Sequence, residues 1–137
     1  MALASIFDIA GSAMSAQSTR LNVIASNLSN ADSMASSKDA VYHAKLPVFE
    51  TIMKNTEQGI SGGVRIASIS ESTIPARREF QPGNPLADKE GYVYLPSVNA
   101  IEEMANMISA SRSYQDNVEM METAKSMIMR TIHAMDE

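Results

Sequence analysis

His43 and His133 are the only imidazoles in the chain, and they would be the natural proton carriers or metal ligands if other such groups stood near them. They lie far apart and neither belongs to a ligand pattern such as H-x-x-x-H. His133 falls in the last turns of an expected helix, where a cation complements the dipole. Serines are plentiful, yet none sits in G-x-S-x-G with a histidine to act as base. Glu102/Glu103 and Glu119/Glu122 are carboxylate pairs of the helix-surface kind, whereas acid–base catalysis needs carboxylates held in a shaped pocket. "GISGG" (Gly59–Gly63) lacks the Lys-Ser/Thr of a phosphate loop and reads as a turn. "NLS" at Asn27–Ser29 matches a glycosylation sequon, but inside a helix end it reads as chance. There is no cysteine, hence no thiolate chemistry and no disulfide framework. No catalytic, cofactor-binding or metal-ligating residue is assigned, and the chain is not expected to be an enzyme or to act on a small-molecule substrate.

The charge balance narrows the partners. Net charge is −5, while nucleic-acid binders concentrate Lys and Arg; Arg77-Arg78 is the nearest thing to a basic run. No stretch approaches the ~20 apolar residues of a membrane span. The acidic balance also lacks the Lys/Arg-rich face of a membrane-surface helix. "MALASIFDIAGSAM" has no basic n-region, and Asp8 interrupts its apolar stretch, so it does not resemble a cleaved signal peptide.

With chemistry set aside, the elements carry the argument. Leu3, Phe7, Ala10, Met14, Gln17, Leu21, Ile24 and Leu28 alternate steps of four and three, a heptad seam that predicts a helix over about 3–28. Gly11 lowers its stability by about 1 kcal/mol relative to Ala. Its other faces carry Ser and Ala with only Asp8 and Arg20 charged, where a solvated helix normally shows a charged side. The last part, after Pro96, has no Gly or Pro. Ser97 or Asn99 can cap it, and Glu102 and Glu103 suit its first turns. Met104, Met107, Ser111, Tyr114, Val118, Met121, Lys125, Ile128, Ile132 and Met135 repeat the three–four spacing, with Ile101, Ala105, Ile108, Ala124 and Met127 widening the stripe. This predicts a helix over about 98–135. Seven of 11 methionines lie at or beyond Met104, and Met adapts to irregular neighbours.

Between the helices the composition changes. "SNADSMASSKDA" is loop-like. "VYHAKLPVFETIM" has the β-branched and aromatic content of a short extended segment with Pro47 at an edge or bulge. Val64–Ile69 and Tyr92–Leu95 read as strands. The fold class is therefore α+β: two long terminal helices pairing as an antiparallel coiled coil around a small irregular β-rich insert. The expected division is 1–30 and 97–137 for the helical core and 31–96 for the insert. A hairpin of two such helices alone would leave much apolar surface in water, so burial against other copies or other chains is expected.

"RLNVIASNLSN" (Arg20–Asn30) condenses that expectation. Leu21, Ile24 and Leu28, with Tyr114, Val118 and Met121 of the second helix, are the expected packing contacts between helices and subunits. Asn22, Asn27, Asn30 and Asn117 are the expected polar contacts, with Asn30 at the helix exit in left-handed geometry. On this reading Asn27→Ala would impair assembly with little loss of monomer stability. The near-absence of charge also suggests that residues 1–30 and 125–137 are largely disordered in the free monomer, since isolated helices are costly without partners. The two-helix pattern alone would equally allow a helical adaptor or chaperone-like binder.

"IFDIAGSAMSAQSTRLNVIASNLSNADS" resembles the N-terminal signature of the bacterial flagellar rod and hook family. "FQPGNPLADKEGYVYLPSVN" and "EMANMISASRSYQDNVEMMETAKSM" resemble its short proximal-rod branch. Ser29 stands where Ala is usual, Ser97 where Asn is usual, and Pro47 interrupts the "K-x-V-F" segment. The resemblance implies a structural, torque-transmitting rod subunit in the periplasm. Its terminal helices would line an inner tube around the export channel, and its insert would form an outer layer. It further implies passage through the flagellar type III export apparatus without a cleaved signal. The implied partners are other rod proteins and further copies of the chain.

Overall fold

The computed structural model describes residues 2–56 and 59–135, and the side chains of these except at 2–4, 54–56 and 59–61. Six elements follow one another: α1 (Ala2–Ser29), β1 (Lys45–Thr56), β2 (Gly59–Glu71), β3 (Arg77–Phe80), β4 (Tyr92–Leu95) and α2 (Ala100–Met135). The α+β architecture read from the sequence is the one observed. At 1.5 Å per residue, α1 is about 42 Å long and α2 about 54 Å. They run antiparallel: Arg20 reaches Asn106 and, further along α1, Asn27 reaches back to Glu103.

Small residues set how closely the helices approach. Ala10 and Ala16 of α1 and Ala110 and Ala124 of α2 are buried. With no side chain beyond Cβ, they let the backbones come close, and Val23 and Ile24 fill the space toward the insert end. The expected α2 seam is half-buried at Met107, Ser111, Tyr114, Val118, Met121 and Ile128, with Ala110 and Ala124 buried beside it, whereas its other members Met104, Lys125, Ile132 and Met135 and the widening residues Ile101, Ala105, Ile108 and Met127 are exposed.

The end of α1 and the start of α2 both carry an asparagine, used by different means. Asn99 caps α2: its Oδ1 accepts from the N–H groups of Ile101 and Glu102 at 3.1 and 3.3 Å. Ser97 instead donates to the Pro75 carbonyl. Asn30 follows α1, and its side-chain NH2 donates to the Ser26 carbonyl at 2.8 Å. The expected left-handed conformation is absent: among the described residues, none other than glycine has positive φ. The chain leaves the helix through backbone bonds from the Asn30 N–H to the Ser26 carbonyl and from the Ala31 N–H to the Leu28 carbonyl, both 3.2 Å, so the exit is made without a left-handed residue.

The insert is two antiparallel ribbons, β1–β2 and β3–β4. The first is longer than expected. Its register shifts between Val48 and Phe49, just after Pro47, where a residue without N–H marks the irregularity. In β4, burial alternates as period two requires: Val93 and Leu95 are buried, Tyr92 and Tyr94 half-buried. The other edge of β4 bonds to Ala35 in both directions, at 2.9 and 3.0 Å, so β4 is a central strand. The strand β3, unforeseen in the sequence, is exposed throughout. It is held by Arg78, which stacks 3.6 Å from the Tyr92 ring centroid and pairs with Glu90 at 2.7 Å. None of the helices is long and apolar enough, over the described residues, to cross a membrane.

Candidate functional site

The densest polar feature is the junction at Asn27, where α1, α2, β1 and the loop before β1 meet. Asn27 is 1% exposed. Helical spacing places it on the buried side of α1, three residues beyond Ile24. Its Oδ1 accepts from the Lys45 N–H and from the Tyr42 hydroxyl, both at 2.8 Å. Its NH2 donates to the Lys45 carbonyl at 3.0 Å and to Glu103 Oε2 at 3.3 Å. All four hydrogen-bonding positions of the amide are filled. Ser26 lies 3.1 Å from the same Tyr42 hydroxyl. The side chain thus fixes the start of the long β1–β2 ribbon to both helices at once.

A second tie lies two-thirds of the way toward the start of α1. The Ser12 hydroxyl donates to the Ile9 carbonyl at 2.8 Å and accepts from the Val64 N–H at 3.1 Å. Beside it Gly63 comes so close that an added Cβ would lie 2.9 Å from the Ser12 oxygen. The small, uncharged face of α1 is therefore covered in part by the chain's own hairpin. A contact with other subunits is not needed to explain that side of the helix.

The other proposed contact residues fall into three groups. Ile24 is buried, and Leu21, Leu28, Tyr114, Val118 and Met121 are half-buried. Asn117 is turned back onto its own helix, donating to the Ser113 carbonyl at 2.6 Å. Asn22 alone is exposed, on a stripe with Ser15, Ser18, Ala25 and Ser29. Sequence reasoning missed Ser12, Tyr42 and Lys45. A serine on an uncharged helix face was a usable signal for Ser12; the backbone role of Lys45 had none, because it depends on register.

Two surfaces near the junction present apolar side chains. A groove of about 380 Å³ lies between α1, α2 and β1, floored by Val23 and Ile24, walled by Leu46 and Phe49, with Arg20 and Glu103 in it. On α2, Ile101, Met104 and Ile108 are 81%, 56% and 64% exposed. Among the described residues no three His, Asp or Glu side chains are grouped to hold a metal ion.

The chain is an antiparallel helix pair that carries a strapped β insert and exposes apolar side chains on α2. Residues 7–33 match the model for flagella basal body rod proteins, and residues 89–134 match that for the C-terminal part of flagellar basal body rod FlgEFG proteins. A flagellar basal-body rod protein FlgC of Yersinia enterocolitica is 53% identical, covering 96% of this chain and 97% of that one. FlgC of Salmonella typhimurium is 52% identical and FlgC of a Buchnera aphidicola 36% identical, at the same coverage. The chain belongs to the FlgC family of flagellar basal-body rod proteins.

Proposed function

We propose that this chain is a structural subunit of the proximal rod of the flagellar basal body. In this reading it polymerises with other rod proteins and further copies of itself into the torque-transmitting shaft around the export channel. Residues 1–30 and 97–137 form the helical core, and 31–96 the outer layer. The chain reaches the periplasm through the flagellar type III export apparatus without a cleaved signal, and it has no enzymatic role.

The observation that carries this reading is the unpartnered apolar surface on α2, in a chain whose relatives are rod proteins along their whole length. Exposed Ile and Met side chains on a capped, regular helix are what a subunit needs if neighbours complete its core. Close-packed helices of low compressibility suit a part that must transmit torque without shearing. The Asn27 junction would transmit load from the helical core to the insert, since its bonds join α1 to three other segments, the loop at Tyr42, β1 and α2. Asn22 and the exposed stripe around it would supply polar contacts to the next subunit.

Electron microscopy of basal bodies from cells lacking this chain tests the reading. The expected result is a rod that stops at its proximal part, restored by the wild-type chain. A complete rod in its absence overturns it.

A further inference from the structure

We infer that the α1–α2 pair has two registers one helical turn apart, and that α2 slides along α1 between them. Gln17, Arg20, Glu103 and Asn106 are the residues that stabilise the second register. The step is a property of the single chain, so it stands or falls apart from the rod reading.

The seam of α1 contains an atom that the observed register leaves unsatisfied. Ala10, Gln17 and Ile24 fall on one heptad row, and its two apolar members are buried. Gln17 stands between them, and its Oε1 is closed off from water with no hydrogen-bond partner among the described residues. A buried carbonyl oxygen left unpaired disfavours the arrangement that strands it. The groove beside the seam holds Arg20 of α1 and Glu103 of α2. Neither is in an ion pair among the described residues.

The two helices are loosely linked. Among the described residues, the side-chain hydrogen bonds between them are Arg20 to Asn106 at 3.5 Å and Asn27 to Glu103 at 3.3 Å, both beyond the usual range. Asn27 and Ser12 hold α1 to the first ribbon by shorter bonds, of 2.8 to 3.1 Å. Among the described elements α2 packs closely on α1 alone, and the two ribbons belong to separate sheets. Thus α1 with β1–β2 can move past α2 as one body. The buried alanines of the contact, Ala10, Ala16, Ala110 and Ala124, present little to interlock.

Packed helices have discrete registers, because the ridges of side chains recur with each turn. With Arg20 beside Asn106, antiparallel order sets Gln17 across from the turn that holds Ala110. Sliding by one turn, about 5 Å, replaces Ala110 there by Asn106 and brings Glu103 to Arg20. The Asn106 side-chain NH2 then donates to Gln17 Oε1, and Arg20 pairs with Glu103. Ala110 moves toward Ala13, so the backbones keep their close approach. The observed register is held instead by the Asn27–Glu103 bond and by the start of α2, where Val98 is buried and Ser97 donates to the Pro75 carbonyl. Each register thus keeps polar contacts that the other gives up, and the free chain populates both.

The chain has no cysteine, so spin labels can be placed by substitution. Ser18 and Ser126 are exposed on α1 and α2. Dipolar electron paramagnetic resonance on the free full-length chain, labelled at Ser18→Cys and Ser126→Cys, reads their separation. The expected result is two distances, the second longer by about 5 Å. Gln17→Met keeps the side chain's length and removes the oxygen that the second register satisfies, so it should lower the longer-distance population about tenfold. Glu103→Gln keeps an acceptor for Asn27 but removes the charge that Arg20 would meet, and should also deplete the longer distance. A single distance in the labelled chain, or two whose ratio neither variant moves, overturns the inference and leaves the rod reading intact. Rods that are complete in cells lacking the chain overturn the rod reading alone.

Discussion

Asn27 and Lys45 exchange two hydrogen bonds across the joint between helix and insert, Lys45 N–H to Oδ1 at 2.8 Å and side-chain NH2 to the Lys45 carbonyl at 3.0 Å. A side-chain amide thus stands in for a strand neighbour at the first residue of β1. Because the amide is buried and saturated within one chain, Asn27→Ala would strand the Lys45 N–H and the Tyr42 hydroxyl. The loss should be about 2–3 kcal/mol, the range for leaving buried polar groups unpaired. This reverses the expectation of little effect on the monomer. Asn27→Asp should cost at least as much, because it faces a carboxylate toward Glu103 and the Lys45 carbonyl. Urea denaturation of the purified chain measures both; an unchanged midpoint for Asn27→Ala would remove the junction from the account.

Gly63 gives the second prediction. The obstacle there is space, since an added Cβ lies 2.9 Å from a hydroxyl already committed to Ile9 and Val64. Gly63→Ala should destabilise by about 1–2 kcal/mol as Ser12 turns away or the hairpin lifts. Gly62→Ala, whose Cβ would lie 3.7 Å from the Ile52 carbonyl, should be close to neutral. Ser12→Ala with Gly63→Ala should cost less than the sum of the two, since removing the hydroxyl removes the clash. Strict additivity would show that the strand does not rest on Ser12.

Most of this architecture could be read from residue order, and the exceptions share a cause. The helix limits followed from heptad spacing and an asparagine cap, both local. Tyr92–Leu95 followed from its aromatic and β-branched run. The strand β3 did not: "RREF" is charged, and it is a strand because its backbone pairs with β4, Arg78 opposite Tyr94, a partner distant in sequence. The α2 seam was legible along its middle, from Met107 to Ile128, because its spacing is local; that Met104, Ile132 and Met135 lie open at its ends, and Ile101 and Ile108 beside it, was not, because exposure depends on what packs against each turn. Asn27 was singled out correctly as a polar contact, but its partners lie in a loop and a strand that only tertiary structure brings near.

The Asp88 turn predicts a pH dependence. Its Oδ1 accepts from the N–H groups of Tyr92 and Glu90, both at 2.9 Å, and its other oxygen accepts from the Tyr94 hydroxyl at 3.1 Å. The Tyr92 N–H bond leads in holding the carboxyl below the ordinary value; burial opposes it, and the Glu90 N–H, the Tyr94 hydroxyl and the Arg78 charge add to the lowering. A depressed folded pKa means that the unfolded chain takes up the proton first. The contribution to stability is therefore fully present above the unfolded value, near pH 4, and is lost as pH falls through the folded one. Carbon-detected titration of Asp88 should show a low midpoint, with the Tyr92 and Glu90 amides losing exchange protection over the same range. Asp88→Asn should abolish the dependence. A midpoint at the ordinary aspartate value would rule out the turn as its source.

The helix ends predict how order is distributed in the free chain. The sequence suggested that residues 1–30 would be largely disordered in the free monomer, but α1 is tied to β2 at Ser12 and to β1 at Asn27, with buried Ala16, Val23 and Ile24 between. Residues 16–27 should therefore show marked amide protection in the isolated monomer. The last turns of α2 are different: every described side chain from Met129 to Met135 is exposed. With no apolar burial to offset the ordering of the backbone, those turns should exchange on the timescale of an isolated helix. Protection there should rise once the chain is incorporated into basal bodies, where neighbours could cover Met129, Ile132 and Met135. Equal protection from 16 to 27 and from 129 to 135 in the monomer would mean that α2 is stable along its full length without partners, and its exposed end would then need no assembly to explain it.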